Sequence, residues 1–161
     1  MEDRLSTAGP LHLVAATPPS DAVRAWVRQG LMAFNRRHTA SGAAARGLET
    51  EMNPLERVLI APDGTTWGGL LGYTQWGWLH VQTLWLDERC RGQGYGRALL
   101  HAVEAEAIRR GCLHSRLSTY SFQARGFYER QGYQVWGHLD DYPPGYTSYA
   151  MRKDLQGDPQ S

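Results

Sequence analysis

Residues 91–97 read Arg-Gly-Gln-Gly-Tyr-Gly-Arg and stand between a β-type run and a helical run. Gly92, Gly94 and Gly96 remove side chains where a helix is about to begin. The first amide N–H groups of any helix lack intrahelical partners, and the helix dipole places partial positive charge there. A glycine-rich loop at such an end lets an anion, commonly a phosphate, rest against bare backbone. Arg91 and Arg97 flank the loop with cationic charge. Two nucleotide-binding spacings do not fit. A dinucleotide fold needs G-x-G-x-x-G with an acid ~20 residues on, whereas the spacing here is Gly92-x-Gly94-x-Gly96. A P-loop needs a lysine followed by Ser or Thr, and neither is present. A ligand-free turn is the plainer alternative, but a simple turn rarely needs three glycines and two flanking arginines.

The rest of the chain narrows the setting. Its 161 residues are enough for one domain with a proper core, expected over 1–155, with 156–161 as a disordered tail. Apolar content of 42% and charged content of 20% are those of a globular protein. A net charge of +1 gives no electrostatic case for nucleic acid or a membrane surface as partner. No apolar run approaches the roughly 18–20 residues of a membrane span. The N-terminus carries Glu2, Asp3 and Arg4 and no apolar signal core, so a cytoplasmic location is expected. Cys90 and Cys112 are too few for a disulfide framework, and no metal site is expected from Cys112-x-His114.

Around the loop, periodicity lays out the elements. Leu11–Ala15 reads as a first strand, and Ser20-Asp21 caps a helix over 21–37 in which Val23, Trp26, Val27, Leu31 and Phe34 recur at helical spacing. The alanine-rich stretch 40–48 reads as a second short helix or a mobile loop, broken by Asn53-Pro54. Strands are expected at 57–61, 66–75 and 77–86, with Pro62-Asp63-Gly64 as a turn. A helix over 94–110 has an apolar face of Ala98, Leu99, Ala102, Val103, Ala105 and Ile108 and a Gly111 cap. A strand at 113–119, a helix at 122–131 and a hairpin pairing 133–139 with 146–152 complete an α/β pattern with a mixed sheet.

The stretch from Leu84 through Leu100, with Arg91, Gly94 and Gly96 at its key positions, resembles the acyl-CoA-binding motif of the GNAT superfamily of N-acetyltransferases. The segment Gln123-Ala124-Arg125-Gly126-Phe127-Tyr128-Glu129-Arg130-Gln131-Gly132-Tyr133 resembles the family's downstream pattern of Ala, Phe-Tyr and Gly-aromatic. The resemblance covers residues ~57–153 well, and the N-terminal third matches only in its element order. It implies a mixed, mostly antiparallel central sheet, splayed at its middle and flanked by about four helices.

The resemblance also implies roles. The coenzyme A pyrophosphate would sit on Arg91, Gly92, Gln93, Gly94, Tyr95, Gly96 and Arg97. The backbone of Leu84 and Leu86 would pair with the pantetheine arm, and Ser121 stands where many relatives carry an asparagine at that arm. Tyr128 is the candidate acid for the leaving thiolate. The candidate base is His80, the residue type whose ordinary pKa lies nearest neutrality, or a water that relays the proton. Strict alternation places His80, Gln82, Leu84 and Leu86 on one face.

Acetyl-CoA is thus the implied co-substrate, with direct transfer to a primary amine on a small molecule or a protein. Trp26, Phe34, Glu49, Glu51, Trp76, Trp78, Asp140, Asp141 and Tyr142 collect at the implied acceptor end. Acids beside aromatics there would suit a cationic amine. A homodimer is an open expectation, since dimers are common among relatives. The alternative activity is a non-catalytic acyl-CoA-binding regulatory module on the same fold.

Overall fold

The computed structural model describes residues 20–45 and 51–155. The expected strand at 11–15, Glu49 and the tail from Gln156 lie outside them. The chain divides into two compact units, residues up to Thr39 and residues from Ala40 onward.

In the first unit, the Ser20 hydroxyl accepts from the Val23 N–H at 3.3 Å and starts helix α1 (Asp21–Ala45). The helix does not end at Arg37, as the apolar spacing predicts. It continues to Ala45, because Ala40 and Ala43 to Ala45 are strong helix formers and a single Gly42 does not break them. One helix therefore replaces the expected helix and the separate alanine-rich element.

The second unit is built on a sheet of seven strands: β1 (Asn53–Pro54), β2 (Arg57–Ile60), β3 (Thr66–Gln75), β4 (Trp78–Leu86), β5 (His114–Tyr120), β6 (Gln134–Leu139) and β7 (Ser148–Asp154). Their order is β1-β3-β4-β5-β7-β6, with β2 also paired to β3. Asn53-Pro54, expected as a breaker, pairs with Thr74 and Tyr73 instead. Among the described residues, only β4 and β5 run parallel; every other pairing is antiparallel. Helix α2 (Tyr95–Arg109) and helix α3 (Arg125–Arg130) follow β4 and β5. Three α-helices among the described residues thus stand against the expected four, the difference being the merger in α1.

Both α2 and α3 pack on one sheet face. Leu99, Leu100, Val103 and Ala107 of α2 and Tyr128 of α3 bury against Leu70, Leu79, Val81, Leu117 and Met151. Behind them runs a buried polar chain. The Glu104 carboxylate accepts from the Tyr133 hydroxyl at 3.0 Å and from Lys153 Nζ at 2.7 Å, and Tyr133 also bonds Ser115 at 2.7 Å. Burial, followed by the Glu104 charge, pushes the Tyr133 phenol well above its usual range.

A bulge decides which side chains share a face. Leu71 pairs with Thr83, but Gly72 pairs with Val81, so Gln82 is an extra residue in β4. Leu79, Val81, Leu84 and Leu86 consequently stay on the helix-covered face, opposite Thr74, Gly72, Leu70 and Gly68. His80 points to the other face, where it stacks on Tyr73 with ring centroids 4.5 Å apart. The single-face grouping of His80 with Leu84 and Leu86 is therefore wrong, because strict alternation fails at Gln82.

At the bulge the strands approach closely. A Cβ on Gly72 would lie 2.5 Å from the His80 carbonyl oxygen. Gly72→Ala should destabilise the chain by about 1–3 kcal/mol, as overpacking does where backbone cannot retreat. Urea unfolding checks this, and an unchanged midpoint would contradict the close approach.

Candidate functional site

The parallel ladder between β4 and β5 is short. It joins Trp78 to His114, Leu79 to Ser115 and His80 to Arg116, and then stops. Beyond His80 the two strands part. The Asp87 N–H donates to Trp67 O of β3 at 2.8 Å. Backbone groups alternate in direction along a strand, so those of Leu84 and Leu86 face the opened side. The Leu86 carbonyl is taken there by Arg91 Nε at 2.9 Å.

The loop after β4 is braced from within. The Asp87 carboxylate accepts from the Arg89 backbone N–H at 2.9 Å and from Arg89 Nε at 2.8 Å. The Arg89 hydrogen bonds hold its pKa down to about 2. Gln93 Nε2 donates to Arg89 O at 2.9 Å, and the buried Cys90 thiol lies 3.2 Å from Asp87 O. Gly92 at φ 72° and Gly94 at φ 87° take left-handed conformations that side chains disfavour. Gly94 caps α2 with no side-chain hydrogen bond, so the helix begins with bare amides.

These features line a cavity of about 430 Å³. Its walls are Leu84, Leu86, Arg91, Gly92, Gly94, Gly96 and Arg97 on one side and Ala124, Phe127, Tyr128 and Gln131 of the α3 region on the other. The start of α2 lies against α3, where a Cβ on Gly96 would meet the Phe127 ring at 3.6 Å, an ordinary contact distance. Tyr128 is 8% exposed, and burial raises its pKa, so its hydroxyl stays protonated at neutral pH. No described residue bonds that hydroxyl.

Three expected residues do not line the cavity. Gln93 serves as a loop brace, and Tyr95 sits outside on the first turn of α2. The Ser121 hydroxyl accepts from the Thr147 N–H at 3.2 Å, which ties the end of β5 to the segment before β7. Ala124, Phe127 and Gln131 are additions; with Tyr128 they recur at 124, 127, 128 and 131, a helical stripe readable in the sequence.

A second cavity of about 360 Å³ lies on the other sheet face. Gln75, Trp76, Trp78, His80, Arg116, Trp136 and Arg152 line it. Burial, and then the Arg116 charge, lower the His80 pKa, which keeps the ring neutral and able to accept a proton. Of the residues expected at the acceptor end, only Trp76 and Trp78 line this cavity, and its walls carry arginines rather than carboxylates. Asp140 and Asp141 instead brace their own loop, accepting from Thr147 Oγ1 at 3.1 Å and from the Gly145 N–H at 2.7 Å. Among the described residues, no group of three or more His, Cys, Asp or Glu is placed to hold a metal ion, and no helix is long and apolar enough to cross a membrane.

Comparison with known proteins bears on this arrangement. The model of the acetyltransferase (GNAT) family matches residues 24–133. The blasticidin-S acetyltransferase of Streptomyces morookaense is 42% identical over 125 residues, spanning 75% of this chain and 92% of that protein. An acetyltransferase of Agrobacterium fabrum is 35% identical over 127 residues, spanning 79% of this chain and 87% of that protein. The crystal structure of an acetyltransferase from Bacillus cereus superposes with a TM-score of 0.80 at 27% identity, covering 89% of this chain and 97% of that one. A glycine loop at a helix start, a parted β4–β5 pair and this likeness over most of the chain agree: the chain belongs to the acetyltransferase (GNAT) family and is an acyltransferase.

Proposed function

We propose that this enzyme moves an acetyl group from acetyl-CoA to a primary amine of a small molecule by direct attack. The observation that carries the reading is the first cavity, where bare α2 amides, Arg91, Arg97 and the free β4 edge converge beside Tyr128. The amides and arginines suit a pyrophosphate, and the Leu84 and Leu86 backbone suits an amide-bearing arm running as an added strand. The resemblance to an enzyme named for the small molecule blasticidin S supports a small-molecule acceptor.

In this reading the amine nitrogen bonds the thioester carbonyl carbon, and the carbon–sulfur bond breaks. The amine's proton passes to His80, directly or through a water. The Tyr128 hydroxyl, held protonated by burial, donates to the sulfur as negative charge develops on it. His80 and Tyr128 sit on opposite sheet faces, so amine and thioester meet through the opening between β4 and β5. Holding both reactants there supplies much of the rate.

Release of CoA thiol in a panel of small amines tests the reaction. Tyr128→Phe should lower kcat by about a hundredfold or more while leaving acetyl-CoA binding near its wild-type value. Unchanged turnover removes Tyr128 from the chemistry. A chain that binds acetyl-CoA and releases no thiol with any amine contradicts the transfer itself.

His80 gives a separate test. Its ring should titrate below 6.5 by NMR, and the acid limb of kcat/KM with that midpoint should vanish in His80→Ala. A midpoint at or above 6.5 contradicts the lowering by burial and Arg116, and an unaltered profile excludes His80 as the base. The folded chain favours the neutral ring, so the stability His80 contributes is complete above 6.5 and is lost as pH falls below it.

A further inference from the structure

The second cavity carries three features that folding alone does not favour. Arg116 and Arg152 are direct cross-strand partners on β5 and β7, and like charges placed opposite each other destabilise a sheet. Among the described residues, no carboxylate pairs with either guanidinium. Trp76 holds φ at 52° in the two-residue turn between β3 and β4, beside Gly77 at φ 76°. That turn favours Asn-Gly, and a bulky side chain in the left-handed region is strained. Trp136, the bulged residue of β6, is 61% exposed although it is the largest of side chains. Each feature places either a cation or an indole at the same cavity wall.

We infer that this cavity receives the acceptor, and that the acceptor carries a carboxylate beside a planar ring, with Arg116 and Arg152 holding the carboxylate and Trp76, Trp78 and Trp136 walling the ring. The inference rests on the acetyl-transfer reading only in placing the amine toward His80. Two neighbouring guanidiniums with no carboxylate partner among the described residues are matched to a carboxylate, which accepts from planar forks of donors. Indole faces cover a flat ring with little loss of rotamer freedom. A cavity of about 360 Å³ has room for a small molecule. The acceptor selected is therefore an anionic aromatic or heterocyclic amine, the reverse of the cationic acceptor that acids near aromatics would take.

The test uses 4-(aminomethyl)benzoate and its uncharged counterpart 4-(aminomethyl)benzamide, titrated into the full chain with CoA present and followed by calorimetry. The wild-type chain should bind the benzoate about tenfold or more tighter than the benzamide, as a hydrogen bond to a charged group predicts. Arg152→Gln should bring the two affinities to within about twofold, and Arg152→Lys should restore part of the preference. Arg152→Gln breaks no ion pair among the described residues and relieves a like-charge contact with Arg116, so its urea midpoint should be no lower than wild type. Equal binding of the two probes by the wild type overturns the inference. So does a preference that survives Arg152→Gln, or no binding of the benzoate at millimolar concentration. CoA release, read in parallel with acetyl-CoA, separates the two claims. Carboxylate-selective binding without thiol release keeps the acceptor assignment and removes acetyl transfer from this pair. Thiol release from both probes without a charge preference does the opposite.

Discussion

Everything at the centre of this fold follows from a ladder that ends early. Strands β4 and β5 pair from Trp78 to His80 and no further. Backbone N–H and C=O groups are strong, obligatory hydrogen-bonding groups, and a strand that leaves its neighbour exposes a row of them. Here the row belongs to Leu84 and Leu86, and the protein closes only part of it, by turning Arg91 back onto the Leu86 carbonyl. Phe127 and Tyr128 of α3 line the cavity that opens there, opposite Leu84, Leu86 and the start of α2. The start of α2, with Gly94 and Gly96, faces the same cavity.

The bulge at Gln82 gives the opening two distinct sides. Without it, one strand would present His80, Leu84 and Leu86 together. With it, the leucines stay on the helix-covered side and His80 turns to the side lined by tryptophans and arginines. An enzyme that joins two substrates needs separate access for each, and a sheet with a local gap and two dissimilar faces supplies that. The glycine at the bulge is what lets β3 and β4 approach so closely, with Gly72 against the His80 carbonyl.

Much of the first cavity's lining was legible in the sequence. Arg91, Gly92, Gly94, Gly96 and Arg97 could be placed because glycine spacing and a following helix are local signals. Tyr128 came from a local pattern too. The face of His80 was not legible, since a bulge is set by pairing with another strand and leaves no mark on strict alternation. The length of α1 was misread because an apolar period ended before helix propensity did. The second cavity was invisible for a related reason. Arg116 and Arg152 are far apart in sequence and meet only through the register of β5 on β7, and Trp136 joins them through a second bulge. Signals carried by register cannot be read from a single stretch of chain.

The central claim is that the free edge of β4 and the glycine loop together take the acetyl donor. Amide hydrogen exchange of the full chain with and without CoA tests it most directly. The account predicts slower exchange at Leu84 and Leu86 and at the loop amides from Gly92 to Gly96, with the amides of β5 from Leu117 onward less affected. Slowing confined to the opposite sheet face around Trp78, Arg116 and Arg152, with no change at Leu84 or the glycine loop, would contradict it.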